Sequence, residues 1–232
     1  MPILLSLAVD DHTIAVPISL MFACATGLSS FYNHWRRGFS DIRLGSILVS
    51  GTLVGAFIGV FFNLQTTKEQ FVIFFAIVVF IIGVKMVYDW YRHPSVVEDD
   101  DEKKLTKGRI AASTTGEVGA GFLSGAMGIG GGVVNVPILL YGLGRGTRKA
   151  IGTSSLIVVP TALFGFIVFI FARSSMPSEF WLIPVLFPIV LIGAFIGSRW
   201  GLKRLKTKTI TLIFIIAIFI VVAKLLWDIL PF

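Results

Sequence analysis

The chain has 232 residues, of which 55% are hydrophobic and 14% charged, and its mean hydropathy is +0.88. A soluble domain has about 25% charged residues, so 20 basic and 13 acidic side chains are too few to cover a water-exposed surface. This excludes a water-soluble globular domain, a disordered chain and a coiled coil. A disulfide scaffold is also excluded because Cys24 is the only cysteine. At about 20 residues per crossing, there is room for about seven or eight membrane crossings.

Six apolar runs without any charged residue predict full membrane-spanning helices. The third and sixth runs are short, but each continues past one lysine, Lys85 or Lys224, towards an interfacial tryptophan. A lysine near a helix end can extend its amine to the headgroups, so both runs can still span. In chain order the runs are Ile14–Asn33, Leu44–Gln65, Phe71–Val84, Ala150–Ala172, Phe180–Ser198 and Thr209–Ala223.

One apolar stretch, residues 110–143, is longer than a single crossing needs and is interrupted by three consecutive glycines, Gly130, Gly131 and Gly132. We expect two half-helices, 110–128 and 133–143, joined by an unwound turn. Irregular backbone at membrane depth is tolerated only inside protein or beside a cavity. The predicted fold is therefore all-α and polytopic, with a broken, glycine-rich helix.

The two halves of the chain are related in sequence. A polar linker, residues 93–108, separates a first repeat at 1–92 from a second at 109–232. The pentapeptide Gly-Ala-Phe-Ile-Gly occurs unchanged at 55–59 and at 193–197. Paired repeats are typical of secondary transporters. The counterpart of the glycine-rich segment would precede Met1, so we expect a lost helix, a late start site or an incomplete repeat.

The basic residues predict how the segments are oriented. If every segment crosses, both sides of the membrane receive nine basic residues from the loops. If the broken segment enters and leaves on one side, the count becomes sixteen against two. The positive-inside rule favours the second arrangement. It predicts a re-entrant segment, inverted repeats and a cytoplasmic location for the basic side.

The glycine turn is the first candidate binding element. Gly130, Gly131 and Gly132 allow backbone N–H groups to converge on an anion, and a helix beginning at Val133 adds its positive dipole end. Asn135 could donate an amide hydrogen bond to a substrate oxygen. The alternative is that the glycines only permit close helix packing.

Three adjacent hydroxyls, Thr153, Ser154 and Ser155, are the second candidate, and Ser19 aligns with Ser154 in the first half. They could bond an oxyanion, or bond back to carbonyls of the preceding helical turn.

Charged residues complete the candidate set. Glu117 lies within a membrane segment, where ionisable groups often carry protons; the alternative places it near the headgroups. Arg145, Arg148 and Lys149 would attract an anion to the cytoplasmic side. We predict no metal site and no cofactor, because His, Cys and Asp show no paired ligand spacing, and no enzyme, because catalytic motifs are absent.

Two stripes of small residues predict close contacts between helices. Gly51, Gly55 and Gly59 form the first stripe, and Gly193 and Gly197 form the second.

These segments together resemble the TauE/SafE sulfite-exporter-like transporters. The resemblance rests on residues 125–132, then Val136-Pro137, then residues 150–154. A looser match covers Pro2, Ala15 and Ser19, followed by residues 34–38 and Asp41. It extends over essentially the whole chain and implies a polytopic permease for sulfite, sulfonates and related organic anions. The chain departs from the family by lacking the first glycine-rich segment.

The resulting hypothesis is a secondary transporter of a small oxyanion in the cytoplasmic membrane. Its partners would be the lipid bilayer, the anionic substrate and a proton as coupling ion, with homo-oligomers left open and no role for nucleic acid. The alternative is a non-transporting membrane subunit, or an incomplete paralogue, that works only with a partner.

Overall fold

The computed structural model describes residues 12–92, 105–173 and 178–204, with isolated positions at 216 and 220. The described part is built from helices. They are α1 His12–Trp35, α2 Ile42–Gln65, α3 Lys68–Arg92, α4 Lys107–Met127, α5 Gly132–Pro137, a π-helical turn Ile138–Gly142, α6 Thr147–Ala172, a 3₁₀ turn Ser178–Trp181 and α7 Leu182–Arg204.

Four of the described segments are long and apolar enough to cross a membrane: Thr13–Trp35, Ile42–Gln65, Thr147–Ala172 and Ser178–Trp200. The all-helical, multi-pass prediction is therefore confirmed. Five of the six predicted runs coincide with α1, α2, α3, α6 and α7. Most of the linker (93–104), the chain start (1–11) and the sixth run, apart from positions 216 and 220, lie outside the described residues.

The predicted broken helix is present, and its boundaries differ from the prediction by one to three residues. α4 begins at Lys107, inside the predicted linker, and ends at Met127, where it is capped by Gly128 with a left-handed φ of +70°. Gly130 and Gly131 follow with φ of +79° and +71°. Glycine is the residue that adopts this region without a steric penalty, so the glycine cluster ends α4 and lets α5 begin at Gly132.

After the turn, α5 and the π-helical turn run back along α4. A Cβ added at Gly116 would lie 3.3 Å from Ile138 Cδ1. At the end away from the glycine turn, the Arg109 guanidinium of α4 donates to the Gly142 carbonyl at 2.7 Å. The start of α4 and the end of the π-helical turn therefore lie side by side, and the whole segment is a hairpin.

α1 and α6 pack against each other in opposite directions. Near the start of α1, the Arg173 guanidinium donates to Thr13 Oγ1 at 2.7 Å. Near its end, Ser30 Oγ lies 2.7 Å from Ser155 Oγ. Residue numbers rise along α1 while they fall along α6, so the two helices are antiparallel.

α1 and α7 instead run in the same direction. Ser29 Oγ donates to the Leu191 carbonyl at 2.7 Å, and Asn33 Nδ2 donates to Ser198 Oγ at 2.6 Å. Hydrogen bonds between polar side chains are a usual way to join helices in a bilayer. These bonds fix the side of α7 that faces α1.

α2 and α4 make the closest helix contact, through the first glycine stripe. A Cβ on Gly55 would overlap the Val118 carbonyl and lie 2.7 Å from Phe122 N, and one on Gly59 would overlap the Phe122 carbonyl. Gly121 in α4 meets the backbone of Thr52 in the same way. The packing prediction for this stripe is confirmed, whereas Gly193 and Gly197 have no neighbour within 4 Å among the described residues.

Gly55→Ala should destabilise the protein by about 1–3 kcal/mol, because the added methyl meets backbone that cannot move aside. Gly119→Ala is the matched control: it lies on α4 with open space around it and should be neutral or slightly stabilising. Thermal unfolding in detergent measures both. Equal unfolding temperatures for the two variants would contradict the close contact.

Candidate functional site

The glycine turn lies between α1 and α6, about halfway along both helices. A Cβ on Gly130 would lie 2.8 Å from the Ala23 methyl and 3.2 Å from Val158 Cγ1. Ala23 is near the centre of α1 and Val158 near the centre of α6. The turn is therefore enclosed by protein, as irregular backbone at membrane depth must be.

Three side chains from different elements hold carbonyls at the turn. Ser19 Oγ donates to the Gly128 carbonyl at 2.8 Å, and Asn63 Nδ2 donates to the Ala126 carbonyl at 2.9 Å. Asn135 Nδ2, with the amide oriented to match its neighbours, donates to the Gly131 carbonyl at 2.8 Å. The last carbonyls of a helix have no partner within the helix, so these bonds make the break possible inside an apolar environment.

Glu117 is fully buried beside the turn, which excludes an exposed position for it. Its Oε2 accepts a hydrogen bond from Asn135 Nδ2 at 2.9 Å. Its Oε1 has no hydrogen-bond partner within the described residues. Asn135 is only 1% exposed, and its amide nitrogen is engaged by Glu117 and Gly131, so donation to a substrate would require one of these bonds to open.

The three adjacent hydroxyls of α6 point to different neighbours. Thr153 Oγ1 accepts from the Asp41 backbone N–H at 3.0 Å. Ser155 Oγ donates to the Ile151 carbonyl at 2.8 Å and contacts Ser30 of α1. Ser154 Oγ lies 3.7 Å from the Cβ position of Gly132. Of the three, Ser154 is the one whose contact reaches the glycine turn.

The three predicted cations lie at the end of the bundle where α1 meets α2. The Arg145 guanidinium pairs with the Asp41 carboxylate at 3.4 Å. The Arg148 guanidinium lies 5.4 Å from the centroid of the Phe39 ring. Arg148 is exposed and Lys149 is half-buried. The three basic residues therefore border the loop between α1 and α2. Arg145 joins that loop to the end of the hairpin.

Two polar features of the structure were not predicted from the sequence. Asn63 is a polar amide within an apolar run. Its polarity is the only feature of the sequence that could have marked it as a candidate. Thr52 Oγ1 and Thr161 Oγ1 form a buried pair at 2.6 Å between α2 and α6. Both hydroxyls also lie within hydrogen-bond distance of a carbonyl of their own helix. Since each hydroxyl has one proton, one donates to its carbonyl while the other donates across to it, and this bond joins the two helices.

The chemistry available to this site is binding and proton exchange. The described residues include no group of three His, Cys, Asp or Glu side chains that could hold a metal ion. They do place a buried carboxyl, an amide and two serine hydroxyls around backbone groups of an unwound turn. Such a set can hydrogen-bond an anion and can hold or release one proton.

Asp41 should stabilise the protein by capping α2 as well as by pairing with Arg145. Its carboxylate also accepts from the Leu44 N–H at 3.0 Å and so caps α2; losing such a cap costs about 1 kcal/mol. We expect Asp41→Ala to lower the free energy of unfolding by about that amount more than Asp41→Asn, which keeps a capping oxygen. Chemical denaturation in detergent tests this order; equal losses would contradict the capping role.

Comparison with known proteins identifies the family of the chain. Residues 1–225 match the family described as Sulfite exporter TauE/SafE. The chain is similar to the probable membrane transporter protein YunE of Bacillus subtilis (strain 168), with 24% identity over 93% of this chain and 81% of the relative. It is also similar to the probable membrane transporter protein YdhB of the same organism, with 26% identity over 83% and 74%. No solved structure matches. The chain therefore belongs to the TauE/SafE sulfite exporter family of membrane transporters.

Proposed function

We propose that this chain is a secondary transporter that moves a small oxyanion, such as sulfite or a sulfonate, across the cytoplasmic membrane. The observation that carries the proposal is the unwound glycine turn, which lies halfway along α1 and α6 and next to a buried carboxyl. Transporters commonly bind substrates near the bilayer midplane, where helices are interrupted. The family membership and the names of the relatives support a transport role.

The proposed topology has inverted repeats and a re-entrant hairpin. α1 and α6 occupy equivalent places in the two halves, and their antiparallel contact agrees with inversion. The adjacency of Arg109 and Gly142 agrees with a segment that enters and leaves on one side. With α3 as a crossing, the end of α1, the start of α4, the start of α6 and the end of α7 lie on the same side, and basic residues lie at or next to each of them. The positive-inside rule makes that side cytoplasmic.

In the proposed binding site, the anion lies between the Gly130–Gly132 turn and Ser154. Ser19 holds the turn from the other side through Gly128. The remaining hydroxyls, Thr153 and Ser155, bound the route from the cytoplasm, where Arg145, Arg148 and Lys149 raise the local anion concentration.

Glu117 is proposed as the proton-coupling residue. An ionised carboxylate beside the turn would repel an incoming anion, and a proton would remove that repulsion. The hydrogen bond from Asn135 connects the carboxyl directly to the turn. Proton and anion would therefore occupy the protein together, which links their movements.

Gly131→Val should abolish transport of sulfite in inverted membrane vesicles. Gly131 has a φ of +71°, and a Cβ there would lie 3.2 Å from the Ala120 carbonyl. A valine would therefore strain the backbone at this position even if its side chain could be accommodated. Gly119→Ala is the control, because it lies on α4 outside the turn and nothing lies within 4 Å of its Cβ position among the described residues. Both proteins should purify as folded monodisperse species. Full flux in Gly131→Val would contradict a role for the turn.

Glu117→Gln should separate anion movement from the proton gradient. The amide has nearly the same shape and keeps a carbonyl oxygen for Asn135, but it cannot ionise. We expect uptake by vesicles that no longer responds to an imposed pH gradient, while anion exchange without a gradient persists. Glu179→Gln, at a half-buried position in the 3₁₀ turn before α7, is the control.

Unchanged gradient dependence in Glu117→Gln would contradict coupling at this residue. The competing function, a subunit that works only with a partner, predicts that the purified chain moves no anion in liposomes, with or without a gradient.

A further inference from the structure

The loop between α1 and α2, residues 36–41, lies directly on the start of α6. A Cβ on Gly152 would overlap the Phe39 carbonyl, so the backbones of the loop and the helix touch. Gly152 comes two residues before Ser154, whose hydroxyl lies 3.7 Å from the Cβ position of Gly132 in the glycine turn. The loop therefore covers α6 next to the proposed binding site, on the side that faces the cytoplasm in the proposed topology.

Three polar contacts join the elements that meet at this end of the bundle. The Asp41 backbone N–H donates to Thr153 Oγ1 at 3.0 Å. The Asp41 carboxylate pairs with the Arg145 guanidinium at 3.4 Å. Ser30 Oγ of α1 lies 2.7 Å from Ser155 Oγ. Thr153 and Ser155 bound the proposed route from the cytoplasm, and both are bonded across it, so the route is closed in this structure.

Pro160 divides α6 into two parts that meet α2 in different ways. Proline lacks the N–H that would bond the carbonyl four residues earlier, and helices bend sharply at such positions. Before Pro160, α6 packs on the start of α2, where the Gly45 Cβ position is 2.7 Å from Leu156 Cδ2. After Pro160, the buried hydroxyls of Thr52 and Thr161 join the two helices. The first part of α6 meets the loop, whereas the second is tied to α2 by a buried hydrogen bond.

The contacts before the proline are of a kind that can open. The side chains of Arg145 and Asp41 are 11% and 28% exposed, and water can replace the partners of a partly exposed ion pair at little cost in free energy. Gly144 and Gly146 flank Arg145, and Gly144 has a left-handed φ of +65°. Glycine gives the backbone wide freedom, so the connection between the hairpin and α6 can change its shape when α6 moves.

We propose that loop 36–41 and the part of α6 before Pro160 form the cytoplasmic gate of the transporter, and that α6 opens this gate by bending at Pro160. The proposal rests on the proposed transport function, because a transporter must open its binding site to one side of the membrane at a time. Gly152 has a defined role in the gate. Any side chain at this position would keep the loop and the helix from meeting.

Two disulfide locks on the same pair of helices test the gate. Gly45→Cys with Leu156→Cys joins α2 to α6 before the proline, where Leu156 Cγ is 3.4 Å from the Gly45 Cβ position, close enough for a disulfide. Thr52→Cys with Thr161→Cys joins the same helices after the proline and is the matched control. Both pairs are made in Cys24→Ala, which removes the only cysteine. Neither pair belongs to the proposed binding site.

The two locks should affect transport differently. For the 45–156 pair, oxidation should lower sulfite flux in inverted vesicles about ten-fold or more, and reduction should restore it. For the 52–161 pair, oxidation should leave flux nearly unchanged, because these parts of the helices stay joined throughout. Undiminished flux through the oxidised 45–156 protein, or equal losses for both pairs, would overturn the gate.

A labelling experiment tests the gate without measuring transport. Ser154→Cys in the Cys24→Ala protein places one thiol beyond the gate, and a membrane-impermeant maleimide is added to inverted vesicles. Gly152→Val should raise the labelling rate about ten-fold or more, because its side chain would hold the loop away from α6. Gly119→Val is the control, since nothing among the described residues lies within 4 Å of its Cβ position on α4, and it should leave the rate unchanged.

The two experiments separate a failure of the gate from a failure of the proposed function. If the Cys24→Ala protein carries no sulfite, the proposed function is wrong for this substrate, and labelling alone decides whether this end of the bundle opens. Equal labelling with and without Gly152→Val would overturn the gate. Gly152→Ala, which adds one methyl at the same contact, takes its place if thermal unfolding shows that the valine variant does not fold.

Discussion

The backbone contact between α2 and α4 is the constraint on which the rest of the structure depends. Lipid tails give helices no hydrophobic reason to associate, so close van der Waals packing must hold them together. Gly55, Gly59, Gly121 and Gly125 let the two backbones meet directly. This contact holds α4 against α2 and so fixes the position of the last residue of α4. The turn that follows therefore has a defined depth between α1 and α6.

The break in the helix follows from this placement and from the supply of hydrogen-bond donors around it. A left-handed turn frees carbonyls that water cannot reach. Ser19, Asn63 and Asn135 reach them from α1, α2 and α5. Three buried polar atoms near the turn lack partners among the described residues: one oxygen of Glu117, the Ser124 hydroxyl and the amide oxygen of Asn63. A ligand or proton that enters and bonds such a buried, unpaired atom gains the most free energy, because it removes the cost of leaving that atom without a hydrogen bond.

Much of the fold could be predicted from the sequence. The length of an apolar run predicts a membrane-spanning helix, and three consecutive glycines within such a run predict a break in the helix. The hydrophobic runs anticipated five described helices, and Gly130–Gly131 anticipated the break. The positions of polar side chains could not be predicted, because they depend on how helices rotate against each other. Thr153, Ser154 and Ser155 are adjacent in sequence, yet they face a loop, the glycine turn and α1. Asn63 and the Thr52–Thr161 pair carried no pattern that distinguishes them from ordinary polar residues.

The side chains at the turn donate to backbone carbonyls rather than to other side chains, which has a consequence for how this region can change over evolutionary time. Every amino acid supplies the same carbonyl, so no substitution at Ala126 or Gly128 can delete the acceptor. Loss of a donor at Ser19 or Asn63 can therefore be compensated only by a new donor from a neighbouring helix. Paired, compensating substitutions are expected among the helices that surround the turn, while the turn itself must keep the left-handed backbone and the close packing that its glycines allow.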